Sequence, residues 1–169
     1  QMMGVRYFKY SQSRSVVTSG GLGTMGFGLP AAIGAKYGTP DRTICLFVGD
    51  GGIQMTIQEL GVIMQYGVNV KIILLNNHFL GMVRQWQELF FEERYSETVM
   101  TNPDFVKISN AYNIPARKVE TREELDEAIA DMLNHDGAYL LDVQVETKGM
   151  VYPMMPAGTC VTNILLGNE

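Results

Sequence analysis

Between Leu46 and Asn77 the chain reads LFVGDGGIQMTIQELGVIMQYGVNVKIILLNN. An apolar run closed by Gly49-Asp50-Gly51-Gly52 is followed by a helical stretch and a second apolar run closed by Asn76-Asn77. Two near-continuous Ile/Leu/Val/Phe runs joined by a helix-length crossover read as parallel strands covered on both faces. Parallel strands end at the same edge of a sheet, so Asp50 and Asn77 are expected side by side. A carboxylate and a carboxamide next to closely approachable glycine backbone suit Mg²⁺ holding a diphosphate.

The rest of the chain extends this pattern. Residues 15–18, 43–48, 70–75, 116–119 and 139–145 read as strands, the last alternating apolar and polar as an edge or half-exposed strand does. Helices are expected over 27–37, 55–66 and 80–91. Pro103 opens another through residue 111, and Thr121 with Glu124 forms a capping-box signature before Leu125, Ile129, Met132 and Leu133. The alternation implies an α/β fold, an open doubly wound and mostly parallel sheet with helices on both faces. After Thr147 the pattern lapses into Gly149, Pro153, Pro156 and Gly158, so residues 1–147 are read as the domain and 148–169 as a carboxyl-terminal tail wrapping over it or a neighbour.

Composition removes several function classes. At 169 residues, 46% hydrophobic and 18% charged, the chain supports one buried core and is neither disordered nor collagen-like. No stretch is apolar enough to cross a bilayer, so no membrane partner is expected. A net charge of −5 argues against nucleic acid, which normally requires a basic face, and means that a bound diphosphate needs a cation. Cys45 and Cys160 show neither disulfide-framework nor zinc spacing, which points to a reducing, cytoplasmic setting. A start at Gln1 without a signal peptide suggests a portion of a longer polypeptide.

Open α/β sheets bind ligands beyond the carboxyl ends of their strands. Three segments are expected at such ends, namely 19–26 (SGGLGTMG), 49–52 (GDGG) and 76–78 (NNH). Each alone has a plain alternative as a turn or strand terminator; their joint placement favours a site. The stretch Gly21-Leu22-Gly23-Thr24-Met25-Gly26 also matches the dinucleotide fingerprint, but no free acid ends the following strand and Asn77 would have no task. A noncatalytic dinucleotide-binding module is therefore the second reading. Nucleophile-elbow, zincin and P-loop motifs are missing from the sequence. His135 reads as a solvated cation at a helix end and His78 as a neighbour of the site. Met25 and Met82 flank the expected ligand-facing loops, and Trp86 shares a helix face with Met82.

Gly-Asp-Gly, followed 27 positions after its Asp by the second residue of an Asn-Asn pair, resembles the cofactor motif of the thiamine-diphosphate superfamily of pyruvate decarboxylase and acetohydroxyacid synthase. The longer stretches 18–35 (TSGGLGTMGFGLPAAIGA) and 76–90 (NNHFLGMVRQWQELF) are similar to acetolactate (acetohydroxyacid) synthase large subunits. The resemblance spans essentially the whole chain, as a carboxyl-terminal thiamine-diphosphate-binding domain. It implies Mg²⁺ ligands at Asp50, Asn77 and the Phe79 carbonyl. Gly23, Met25, Gly49, Gly51, Gly52, Leu80, Gly81 and Met82 would complete the cofactor site, with Met25 beneath the cofactor and Trp86 on the route of the second keto acid.

The implied activity is decarboxylation of pyruvate and condensation of the two-carbon unit with a second pyruvate or 2-ketobutyrate, in branched-chain amino-acid biosynthesis. The activating glutamate would come from another domain, leaving no catalytic residue in this chain, which would be inactive alone. FAD would belong to the full-length enzyme. Expected partners are a second subunit in a homodimer or larger assembly sharing its thiamine sites, and a small regulatory subunit. A separate cofactor-binding subunit of another thiamine-dependent decarboxylase or carboligase is the nearest alternative. Gly52 stands where serine is frequent in the family. Gln1-Met2-Met3 resembles the end of a His-Gln-Met-Trp segment, with Met3 in place of the Trp.

Overall fold

The computed structural model describes residues 1–167. In chain order it contains α1 (Met2–Tyr7), α2 (Gly28–Gly38), β1 (Ile44–Gly49), α3 (Asp50–Gln54), a 3₁₀ turn (Ile57–Glu59), α4 (Leu60–Tyr66), β2 (Val70–Asn76), α5 (Gly81–Phe90), α6 (Phe105–Ala111), β3 (Ala116–Val119), α7 (Arg122–Asn134) and β4 (Tyr139–Gln144), with a last 3₁₀ turn at Val161–Asn163. The four strands form one parallel sheet in the order β1-β2-β4-β3.

Side-chain alternation along the strands builds two cores, one on each face. Leu46, Ile72, Leu74 and Leu140 pack with Leu29, Ile53, Leu60, Ile63 and Phe105, from α2, α3, α4 and α6. On the opposite face Leu141, Val143 and Val119 pack with Ala128 and Met132 of α7. Helices therefore cover both faces, as the strand-helix alternation implies.

Several details differ from the sequence expectation. Residues 15–18 form no strand; Val16 and Val17 are exposed, so nothing apolar seats them on the sheet. β1 is consequently an edge strand, and Cys45 and Phe47 on one of its faces lie open rather than covered. β4, expected at an edge or half-exposed, lies between β2 and β3 and is largely buried. Its polar residue Asp142 meets a buried polar partner instead of solvent: Asn76 Nδ2 donates to Asp142 Oδ1 at 3.0 Å.

The helix expected over 55–66 starts earlier, at Asp50, and breaks at Thr56. There the backbone leaves helical geometry (φ −137°) while the hydroxyl donates to the Gly26 carbonyl at 2.8 Å. Asp104, not Pro103, caps α6 by accepting from the Lys107 amide at 3.0 Å. The Thr121–Glu124 capping box forms as read. At the far end of α7 the Lys71 ammonium donates to the carbonyls of His135 and Gly137. The short α1, with no buried residue, was not foreseen.

Candidate functional site

Register brings the two marked strand ends together. β1 pairs with β2 so that Gly49 faces Leu75, leaving Asp50 and Asn77 just beyond that edge. Asp50 is 2% exposed. Its Oδ1 accepts from the Gly51 amide at 3.0 Å and its Oδ2 from the His78 amide at 2.9 Å, so the two strand ends are tied through backbone. His78 takes a left-handed conformation (φ 58°), which turns the chain sharply after Asn77. Asn77 Oδ1 accepts from the Phe79 amide at 3.2 Å, orienting the carboxamide locally.

Residues 78–80 run antiparallel to 98–100, with Leu80 N donating to Thr98 O and Met100 N to His78 O, both at 2.9 Å. That pairing does not engage the Phe79 carbonyl. The Phe79 ring packs on the Arg84 guanidinium, 5.1 Å from its centroid, with Tyr95 on the same group at 5.3 Å. Arg84 is buried, bonded to Glu88 at 2.7 Å and to the Thr147 carbonyl at 2.8 Å. It thus joins the turn after β2, α5 and the segment leaving β4.

Position 51 is a site of close approach by side chains. A Cβ there would lie 2.7 Å from Leu80 Cδ2, 3.2 Å from Met100 Sδ and 3.3 Å from Met25 Cε. The loop bearing Gly23 and Met25 therefore folds onto the Asp50 turn, although no strand precedes it, so only two of the three segments expected at strand ends lie at one. Gly23 itself needs its positive φ of 61°. Gln1 Nε2 bonds Thr18 Oγ1 at 2.8 Å and the Ser19 carbonyl at 3.0 Å, bringing the amino terminus to the same loop. A Cβ at Gly52 would make only ordinary contact with Val48, so a serine fits there. A Cβ at Gly81 would press on Asn77 Nδ2 at 3.1 Å. Met82 and Trp86 lie on the open side of α5, and Trp86 stacks on Phe90 rather than entering the core.

Sequence reasoning missed Asn102 and Met100, which the chain returns to the site after α5. The pre-proline position of Asn102 was the available signal, since it favours a fixed extended backbone. Burial pushes the Asp142 carboxyl above its ordinary range, against the hydrogen bond from Asn76 and the charge of Lys118. Among the described residues no three His, Cys, Asp or Glu side chains converge as a metal-binding group. A cation at Asp50 would therefore draw on amide, carbonyl and ligand oxygens. The glycine segment 21–26 has no strand before it, so the dinucleotide fingerprint lacks its structural context.

Residues 1–143 match the family model described as thiamine pyrophosphate enzyme, C-terminal TPP binding domain. The chain belongs to the thiamine pyrophosphate enzyme family. Thiamine pyrophosphate is thiamine diphosphate under its other name. This thiamine pyrophosphate-binding domain is 43% identical over 166 residues to the acetolactate synthase isozyme 2 large subunit of Escherichia coli, covering 98% of this chain and 30% of that protein. It is 46% identical over 159 residues to the acetolactate synthase large subunit of Lactococcus lactis, covering 94% and 28%, and 45% identical over 166 residues to the mitochondrial acetolactate synthase of Schizosaccharomyces pombe, covering 98% and 25%.

Among solved structures it resembles the thiamine diphosphate-dependent 4-hydroxybenzoylformate decarboxylase of Rhodococcus jostii, with a TM-score of 0.66 and 32% identity over 73% of this chain and 23% of that one. The thiamine pyrophosphate-binding domain thus spans under a third of the length of these curated relatives. No helix among its described residues is long and apolar enough to cross a membrane.

Proposed function

We propose that this domain holds Mg²⁺ and thiamine diphosphate for an acetolactate synthase, which decarboxylates pyruvate and joins the two-carbon unit to a second pyruvate or 2-ketobutyrate. The observation that carries the reading is the Asp50 carboxylate, buried beside the end of the neighbouring strand with neutral donors and no ion pair among the described residues. A carboxylate withdrawn from water without a positive partner is costly, and a bound cation relieves that cost.

The residues fit the group. The Asp50 carboxylate, Asn77 carboxamide and Phe79 carbonyl are hard oxygens of the kind Mg²⁺ takes, and with only one of them charged, diphosphate oxygens and water suit the remaining positions. Gly49, Gly51 and Gly52 present backbone for the diphosphate. Met25 supports the cofactor with Gly23 beside it, while Leu80, Gly81 and Met82 line the cavity and Trp86 borders the keto-acid route. When bound, thiamine diphosphate supplies the electron sink for decarboxylation and two-carbon transfer. This chain's part is to bind and orient it.

The same proposal includes an activating glutamate from another domain, FAD in the full-length enzyme, a homodimer or larger assembly, a small regulatory subunit and a cytoplasmic location. It also takes residues 1–147 as the domain and 148–169 as its tail. Identities of 43–46% to the named relatives across nearly the whole chain support acetolactate synthesis over other thiamine-dependent reactions.

Calorimetry on the full-length protein with thiamine diphosphate plus Mg²⁺, set against NAD, tests the site, and an acetolactate assay tests the reaction. Asp50→Ala is expected to abolish Mg²⁺-dependent cofactor binding. Unchanged affinity in that variant, or binding to NAD alone, would overturn the reading.

A further inference from the structure

The shortest hydrogen bond to Asp50 comes from a residue 52 positions downstream. Asn102 Nδ2 donates to Asp50 Oδ2 at 2.7 Å and to Asn76 Oδ1 at 2.8 Å, using both amide hydrogens. Its Oδ1 accepts from Gln54 Nε2 at 3.0 Å, and Gln54 also donates to the Asp50 carbonyl at 3.1 Å. Behind it, Asn76 is buried and passes its own amide to Asp142, which accepts from Gln144 Nε2 at 2.9 Å as well. Pro103 restricts the backbone of Asn102, and Phe105, fully buried at the start of α6, anchors the segment just beyond. The carboxamide is thus held from α3, β2 and, through Asn76, β4.

A carboxylate has about four acceptor positions, two on each oxygen. On Asp50 both positions of Oδ2 are taken, by His78 N and Asn102 Nδ2, whereas among the described residues Oδ1 receives only the Gly51 amide. We infer that Asn102 is a positioning residue that fixes which Asp50 oxygen meets the metal, holding the carboxylate to one-oxygen coordination through Oδ1. This rests on the proposed metal role of Asp50. One-oxygen coordination is what Mg²⁺ needs, because it demands near-octahedral geometry; Ca²⁺ accepts two oxygens of one carboxylate and a looser shell. Asn102 therefore tunes affinity and also selects the smaller ion.

The test is calorimetric titration of the full-length protein with Mg²⁺ and with Ca²⁺ at saturating thiamine diphosphate, for wild type, Asn102→Ala, Asn102→Ser and Asp50→Ala. Both replacements at 102 are smaller than Asn and too short to reach Asp50, and metal-free melting measures any general loss of stability. Removing such a partner of a metal ligand typically weakens metal binding about 10- to 100-fold. We expect that loss for Mg²⁺, with a smaller loss for Ca²⁺, so that the ratio of the two affinities moves toward Ca²⁺. A merely structural role would weaken both ions alike. If Asp50→Ala removes metal binding while both Asn102 variants keep the wild-type Mg²⁺ affinity and ion ratio, the inference fails and the metal site stands. If Asp50→Ala binds Mg²⁺ normally, the metal reading itself fails.

Discussion

Gln85 and Val151 hold each other by two hydrogen bonds: the Val151 amide donates to Gln85 Oε1 at 2.8 Å and Gln85 Nε2 donates to the Val151 carbonyl at 3.0 Å. Gln85 is buried, and the same amide nitrogen contacts Met154 Sδ at 3.2 Å. The side chain replaces a strand partner for the segment after β4, pinning it to the helix that carries Met82 and Trp86. Gln85→Leu should release this segment at a cost of about 1–3 kcal/mol, the penalty of stranding buried polar groups. Hydrogen exchange is the measurement: the Val151 amide loses protection while amides in β2 keep theirs.

Gly51→Ala is a test of close approach. The added Cβ meets Leu80, Met100 and Met25 side chains rather than backbone, so the fold adapts by moving them. Overpacking of this kind costs about 1–3 kcal/mol. Leu80 and Met25 belong to the proposed cofactor site and Met100 adjoins them, so thiamine diphosphate affinity is expected to fall about tenfold or more, a change equivalent to ~1.4 kcal/mol. Gly52→Ser, by contrast, should leave affinity close to wild type.

Asp142 gives a pH signature. Burial raises its carboxyl above the ordinary 3.8, so the folded protein holds the proton more tightly than the unfolded chain. Its contribution to stability is full below the unfolded value and is lost as pH rises through the folded one. Denaturation of wild type and Asp142→Asn across this range should show wild type losing ground to the variant as pH increases. A stability difference that does not vary with pH would contradict the assignment.

Trp86→Leu tests the proposed role of this side chain in substrate choice by the full-length enzyme. The indole lies on the open side of α5, stacked on Phe90, so its removal should spare the core. The partition of product between pyruvate and 2-ketobutyrate as acceptors should change, measured by competition, with cofactor affinity altered by less. An unchanged ratio would remove Trp86 from the keto-acid route.

That Asp50 and Asn77 lie just beyond adjacent strand ends was legible from the chain alone, because parallel strands joined by a crossover must end at one edge and each marked residue follows its apolar run directly. The same local reasoning located the cap at Thr121 and the helix of Met82 and Trp86, whose signals lie within a few residues of one another. β4 was misread because alternation of Leu141, Val143 and Val145 with Asp142 and Gln144 carries no record of what the polar face meets. That depends on Asn76, 66 residues away from Asp142, supplying a buried partner. The missing strand at 15–18 has the same cause in reverse, since β propensity does not form a strand where no neighbouring surface covers it.

The sequence by itself determined the layered α/β plan and the sheet edge at which the Asp50 and Asn77 turns lie, since both follow from periodicity and short-range chain geometry. Only the tertiary structure decided how the Asp50 carboxylate is held. Its Oδ2 donors come from His78 and Asn102, 28 and 52 residues downstream, and no spacing rule links them to Asp50. Hydrogen bonds are directional and short, so which of two chemically equal oxygens remains open is set by the packing of α3, β2 and the segment before α6.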